Sequence, residues 1–157
     1  MTQFYTQYHQ YILTDVLGEY DALAISDASD GVIAPLGTAI CVVTGTPGGL
    51  VDVVFRVLGE GEEPPEPAPT AVAAACDIDV PSGTLDLRIW DNGLVERHEF
   101  GSPQHCRVLV VVTDRDQASD PSNPPEVHHI WVQPVHRSRP RWRSRATDSI
   151  GESLRSK

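Results

Sequence analysis

The sequence predicts an all-β chain, an antiparallel β-sandwich of about eight strands followed by a disordered basic C-terminal tail. Three observations carry that expectation. Apolar residues recur at every second position between clusters of Gly, Pro, Asn and Asp, the period that turns one face of a strand inward. Helical spacing is nearly absent. Turn signals return every ~8–12 residues, too closely for the crossover helices that a parallel sheet requires.

Taken in order, residues 8–16 read as a long first strand, residues 31–33 as an extra edge and residues 38–44 as a short buried strand. In residues 50–58, Val51, Val53, Phe55 and Val57 share one face, and in residues 70–80 Val72, Ala74, Cys76, Ile78 and Val80 do the same. Residues 84–90 alternate Leu85, Leu87 and Ile89 with Asp86 and Arg88. Residues 106–113 are apolar nearly throughout and suit the centre of a sheet, and residues 127–135 close the series. Asp91-Asn92-Gly93 is a hairpin signal, because Asn-Gly accepts the positive φ angles of a type I′ turn. Pro81-Ser82-Gly83 marks a second tight turn.

Two connections differ in composition. Residues 59–69 hold four prolines and four glutamates, which describes an exposed acidic loop with polyproline character. Residues 116–126 carry three prolines among Ser, Asn and Asp. From His136 onward arginine alternates with Ser, Pro and Trp. The division is therefore one domain over residues 1–135 and a flexible Arg-rich tail over 136–157, since a chain of this length supports a single core.

The formal charge of −10 hides a polarity. Residues 137–157 hold seven basic and two acidic side chains, a net of +5, which leaves −15 on the rest. Such a body repels nucleic acid and membrane phosphates and attracts basic protein surfaces, whereas the tail does the reverse. The same charge also serves plain solubility. No apolar run reaches the roughly 20 residues of a membrane span and the N-terminus lacks a signal-peptide pattern, so a cytoplasmic protein is expected.

Candidate chemistry is sparse. Thr44-Gly45-Thr46-Pro47-Gly48-Gly49 lacks the Lys-Ser/Thr ending of a phosphate loop and precedes a strand, so it reads as a hairpin loop. Asp27-Ala28-Ser29-Asp30-Gly31 has the wrong ligand spacing for calcium and reads as a turn. The six histidines show no metal-ligand spacing, and neither a metal nor another cofactor is implied. His129, Trp131 and Gln133 share a strand face that reads as solvent side or contact surface. Cys41, Cys76 and Cys106 sit in apolar stretches and suit small buried hydrophobes. Asp114-Arg115-Asp116 fits an ion-paired turn. An enzyme would need a pocket gathering two or more of His105, Asp114, Asp116 and His128.

Tyr8-His9-Gln10-Tyr11, Pro81-Ser82-Gly83 leading into residues 84–90, and the late pair 107–114 and 129–135 resemble the small bacterial β-sandwich proteins of the competence protein J family. That resemblance spans residues 8–135 and implies a nuclease-inhibitor type of function, exercised by binding a protein. The acidic proline-rich loop and basic tail depart from it. The expected function is a non-enzymatic acidic interaction protein, an inhibitor or immunity-type binder of a basic nuclease or toxin. Its expected contacts are Glu60, Glu62, Glu63 and Glu66, with Asp114 and Asp116. The alternative is a nucleic-acid accessory module using Arg137, Arg139, Arg141, Trp142, Arg143 and Arg145 to hold phosphates and stack on a base.

Overall fold

The computed structural model describes residues 1–20, 29–69, 71–89, 93–118, 120 and 122–135, together with the backbone of 143–145. The strands among them are β1 (Thr2–Gln7), β2 (Gln10–Asp15), β3 (Ile33–Pro35), β4 (Ala39–Val43), β5 (Gly48–Val57), β6 (Val72–Val80), β7 (Thr84–Ile89), β8 (Leu94–Glu99), β9 (Gln104–Thr113), β10 (Glu126–Pro134) and β11 (Arg143–Arg145). A 3-10 turn, Arg115–Gln117, follows β9. No helix among the described residues is long and apolar enough to cross a membrane.

All eleven strands belong to one hydrogen-bonded sheet, nearly closed into a barrel-like shape. A long limb runs β11-β6-β9-β10-β5-β1, and a short limb runs β8-β7-β2-β4-β3. They meet at the β1–β2 turn, where Gln7 and Gln10 are the only paired residues. The short limb folds back so that β2, β3 and β4 touch β6, and one core fills the space between. Tyr11, Leu13, Ile33, Ile40, Leu85 and Leu87 face it from the short limb; Val51, Val53, Ala74, Ile78, Val108, Val110, Ile130 and Val132 face it from the long limb. Each fully buried aliphatic side chain there stabilises the fold by about 1.5–3 kcal/mol.

The alternation seen in the sequence is thus a true guide to burial. Val72, Ala74, Cys76, Ile78 and Val80 all lie inside, and β9 sits between β6 and β10 as its apolar run requires. The Asn-Gly signal falls where β7 and β8 pair antiparallel, with a register shift after Leu87; Trp90, Asp91 and Asn92 lie outside the described residues.

The structure differs from expectation at five places. The expected first strand over residues 8–16 is shortened to β2, Gln10–Asp15, and an unexpected strand, β1, precedes it, because Tyr8 and His9 adopt positive φ (55° and 60°) and turn the chain between them. Residues 44–47 do not close a hairpin: β4 pairs with β2 and β3, whereas β5 pairs with β1 and β10, so this glycine-rich segment carries the chain from one limb to the other. Pro81-Ser82-Gly83 does the same between β6 and β7. The sheet is not wholly antiparallel, since β5 and β10 pair in parallel; four intervening strands connect them, so no crossover helix is needed. Within the tail expected to be disordered, Arg143–Arg145 pair with Ala73–Ala75 of β6 and cover an otherwise open edge. The rest of residues 136–157 lies outside the described residues.

The same register decides where the acidic loop runs. β5 and β6 both run parallel to β10, so residues 58–71 join parallel strands across two intervening ones. Gln133 faces away from the core and its Nε2 donates to the Glu62 carbonyl at 2.9 Å. The crossover therefore passes over the outer face of the long limb.

Candidate functional site

The buried polar groups lie where the chain changes limbs. Glu126 opens β10 on the same strand face as His128, Ile130 and Val132, so its carboxylate enters the core at one end of the sheet. There it accepts hydrogen bonds from Gly45 N–H at 3.0 Å, Thr46 N–H at 3.3 Å and His128 Nε2 at 2.9 Å. His128 Nδ1 lies 2.8 Å from the Tyr11 hydroxyl on the facing limb. Burial raises the Tyr11 pKa well above its ordinary value, helped by the Glu126 charge, so the phenol keeps its proton. Each ring nitrogen therefore has a partner, Nε2–H donating to Glu126 and Nδ1 meeting the Tyr11 hydroxyl. Burial also acts to raise the Glu126 pKa. The bond and charge of His128 and the Gly45 and Thr46 donors outweigh it and hold that carboxyl below its usual range.

Gly45 is needed here for close approach. An added Cβ would lie 2.8 Å from Arg115 Cγ and closer still to the Arg115 carbonyl oxygen. Arg115 is buried, and its Nη2 donates to the Gly31 carbonyl. The neighbouring Tyr8-His9 turn is tied to the same loop, with His9 N–H donating to the Pro47 carbonyl at 3.3 Å and Thr44 N–H to the His9 carbonyl at 2.7 Å. A comparable device holds the other limb change, where Asp15 accepts from Ser82 N–H at 2.9 Å and Ser82 Oγ–H at 2.6 Å.

The outer faces carry paired charge. On β7 and β8, buried Asp86 is clamped by Arg88 at 2.6 Å and Arg97 at 2.7 Å, and the Arg97 hydrogen bond leads the effects that lower its pKa. On β6 and β9, Arg107 pairs with Asp77 at 2.9 Å and His105 with Asp79 at 2.6 Å. His129 and Trp131 stack at 5.3 Å on the outer face of β10, half-buried instead of fully on the solvent side.

The residues expected to bind a partner do not form one site. Glu60, Glu63 and Glu66 are exposed on the crossover, but Glu62 is already engaged with Arg56 at 2.9 Å and Gly59 N–H at 2.6 Å. Asp114 and Asp116 are exposed at the other end of the long limb. Val57 and Val132 stand level with Val108, and six residues of β9 separate that level from Asp114, about 20 Å. The four residues an enzyme would have gathered are also apart. His128 is enclosed in the core, His105 lies on an outer face against Asp79, and the two aspartates are on a surface turn. No group of three or more His, Cys, Asp or Glu among the described residues could hold a metal. Arg137, Arg139, Arg141 and Trp142 lie outside the described residues, as do the side chains of Arg143 and Arg145.

Tyr11, Glu126 and Gly45 escape a reading of the sequence as members of one buried group. Parity offers a signal: Glu126 and His128 are in step with Ile130 and Val132, which puts both on the core face.

This geometry defines an all-β scaffold whose interior polar groups fix its loops and whose surface turns and crossover carry exposed carboxylates. No family model matches the chain, and no curated protein does. Among solved structures it is similar to the crystal structure of ComJ, inhibitor of the DNA degrading activity of NucA, from Bacillus subtilis. The TM-score is 0.59 at 9% identity, covering 86% of this chain and 96% of that one. A structure described as crocagin biosynthetic gene J aligns over 83% of this chain and 95% of its own at 14% identity, with a TM-score of 0.44. The ComJ likeness is one of fold, and the resemblance to the competence protein J family is borne out at that level.

Proposed function

We propose that the protein is a non-enzymatic, inhibitor-type binder, acting in the cytoplasm on a basic protein such as a nuclease or toxin. The observation that carries this reading is the fold shared with a nuclease inhibitor over 86% of the chain. The net charge of −10 and the exposed carboxylates of Glu60, Glu63, Glu66, Asp114 and Asp116 support it, because complementary charge speeds encounter and selects partners. In this reading the two limbs act as the layers of a sandwich and residues 1–135 form the binding body, to whose edge the tail adds β11.

The test is calorimetric titration of the purified protein against NucA and against the products of the genes flanking its own, at 50 mM and 500 mM salt. The reading expects a complex with one of them whose affinity falls at high salt. Absence of any complex overturns the reading, and a salt-independent complex overturns its electrostatic part.

A further inference from the structure

The exposed apolar side chains on the outer face of the long limb are not scattered. Tyr5 and Leu50 are directly opposite partners on β1 and β5, exposed by 56% and 48%, and Tyr8 in the adjoining turn is exposed by 68%. The surface they form is braced from behind: Tyr8-His9 is bonded to residues 44–47, and those are bonded to buried Glu126. Tyr8 also holds a left-handed backbone, φ 55°, which a bulky residue adopts rarely and which Asn or Gly would hold at less cost. An aromatic ring is thus kept exposed at a position where local conformation disfavours it.

Charge identifies the occupant. Residues 1–55 contain no Lys or Arg, and the sole arginine of residues 113–135 is the buried Arg115. Across the same face, Gln3, Asp52, Val127 and Thr113 lie in one cross-strand row that leads to exposed Asp114. The row crosses three strand spacings, about 15 Å, and Tyr5 and Leu50 stand two residues along β1 and β5 from its Gln3 and Asp52, on the same outer face. Phenol rings offer their faces to Lys and Arg, and tyrosine anchors ringed by polar groups are what tight protein contacts use.

We infer that this end of the β1–β5 face is the principal docking surface for a basic protein, with the crossover glutamates confined to long-range steering. The inference rests on the inhibitor-type reading and gives it a place on the molecule.

The test uses the full chain and the same probes, NucA and the flanking-gene products. Tyr8→Asn should retain the circular dichroism of the wild type, yet weaken the Kd at least about tenfold. Tyr5→Ala with Leu50→Thr should do the same in a chain that retains its circular dichroism. Replacing Glu60, Glu63 and Glu66 together by Gln should slow association and leave dissociation unchanged. If the wild type binds while the tyrosine variants bind equally well, the docking surface is wrong and the inhibitor reading survives. If the wild type binds none of the probes, the inhibitor reading fails and this inference fails with it.

Discussion

The crossover after β5 and the turn between β1 and β2 lie at opposite ends of the long limb and are held by different means. In the crossover, Glu62 bonds Gly59 N–H, pairs with Arg56 and offers its carbonyl to Gln133, while Glu60, Glu63 and Glu66 stay in solvent. At the β1–β2 end, backbone N–H groups of the adjoining loop are bonded to a carboxylate enclosed in the core, and the exposed side chains are aromatic. Conspicuous charge in a sequence therefore marks what water already satisfies. The groups that fix the fold are buried, and they leave little trace in composition.

Mutation should separate the two ends sharply. Glu126→Ala leaves Gly45 N–H, Thr46 N–H and His128 without their acceptor, and urea unfolding should record a loss of about 3–5 kcal/mol. Gly45→Ala forces a methyl group against the Arg115 backbone, with an expected loss of about 1–3 kcal/mol. Replacing Glu60, Glu63 and Glu66 by Gln should change stability by no more than about 0.5 kcal/mol, as solvated surface sites do. A loss above about 1 kcal/mol in that variant would show that the fold depends on the crossover no less than on the turn.

Acid offers a further way to sharpen the contrast. The Glu126 pKa is lowered in the fold, so its contribution is complete above the unfolded value, near ~4.3. It disappears as pH falls through the folded value. Asp86 acts in the same sense, chiefly through Arg97. Glu126→Gln should accordingly flatten the acid limb of a stability–pH curve. Burial pushes the thiols of Cys41, Cys76 and Cys106 up to about 12, and a thiol reagent at about pH 8 should label them only after denaturant is added.

Strand content and the inward faces are legible in the sequence because alternation directly reports burial, as in Val72 through Val80 and Leu85 with Leu87. Topology is not. A glycine-rich or Pro-Ser-Gly segment signals that the chain turns, but whether it returns to its neighbour or crosses to the other limb depends on distant partners such as Glu126 and Asp15. β1 escapes notice because its core-facing positions are Thr2, Phe4 and Thr6, which alternate weakly, and β11 because Arg143-Ser144-Arg145 carries no apolar alternation. The acidic loop is legible as exposed, yet its distance from Asp114 follows from strand register alone.

The central claim is that this scaffold inhibits a protein by occupying it, and stoichiometric inhibition tests it most directly. DNA degradation by NucA and by any flanking-gene nuclease would be followed while the purified chain is titrated in. The account predicts that activity of one of them falls linearly and vanishes near one equivalent. Undiminished degradation by every one of them at a large excess of the chain would contradict it.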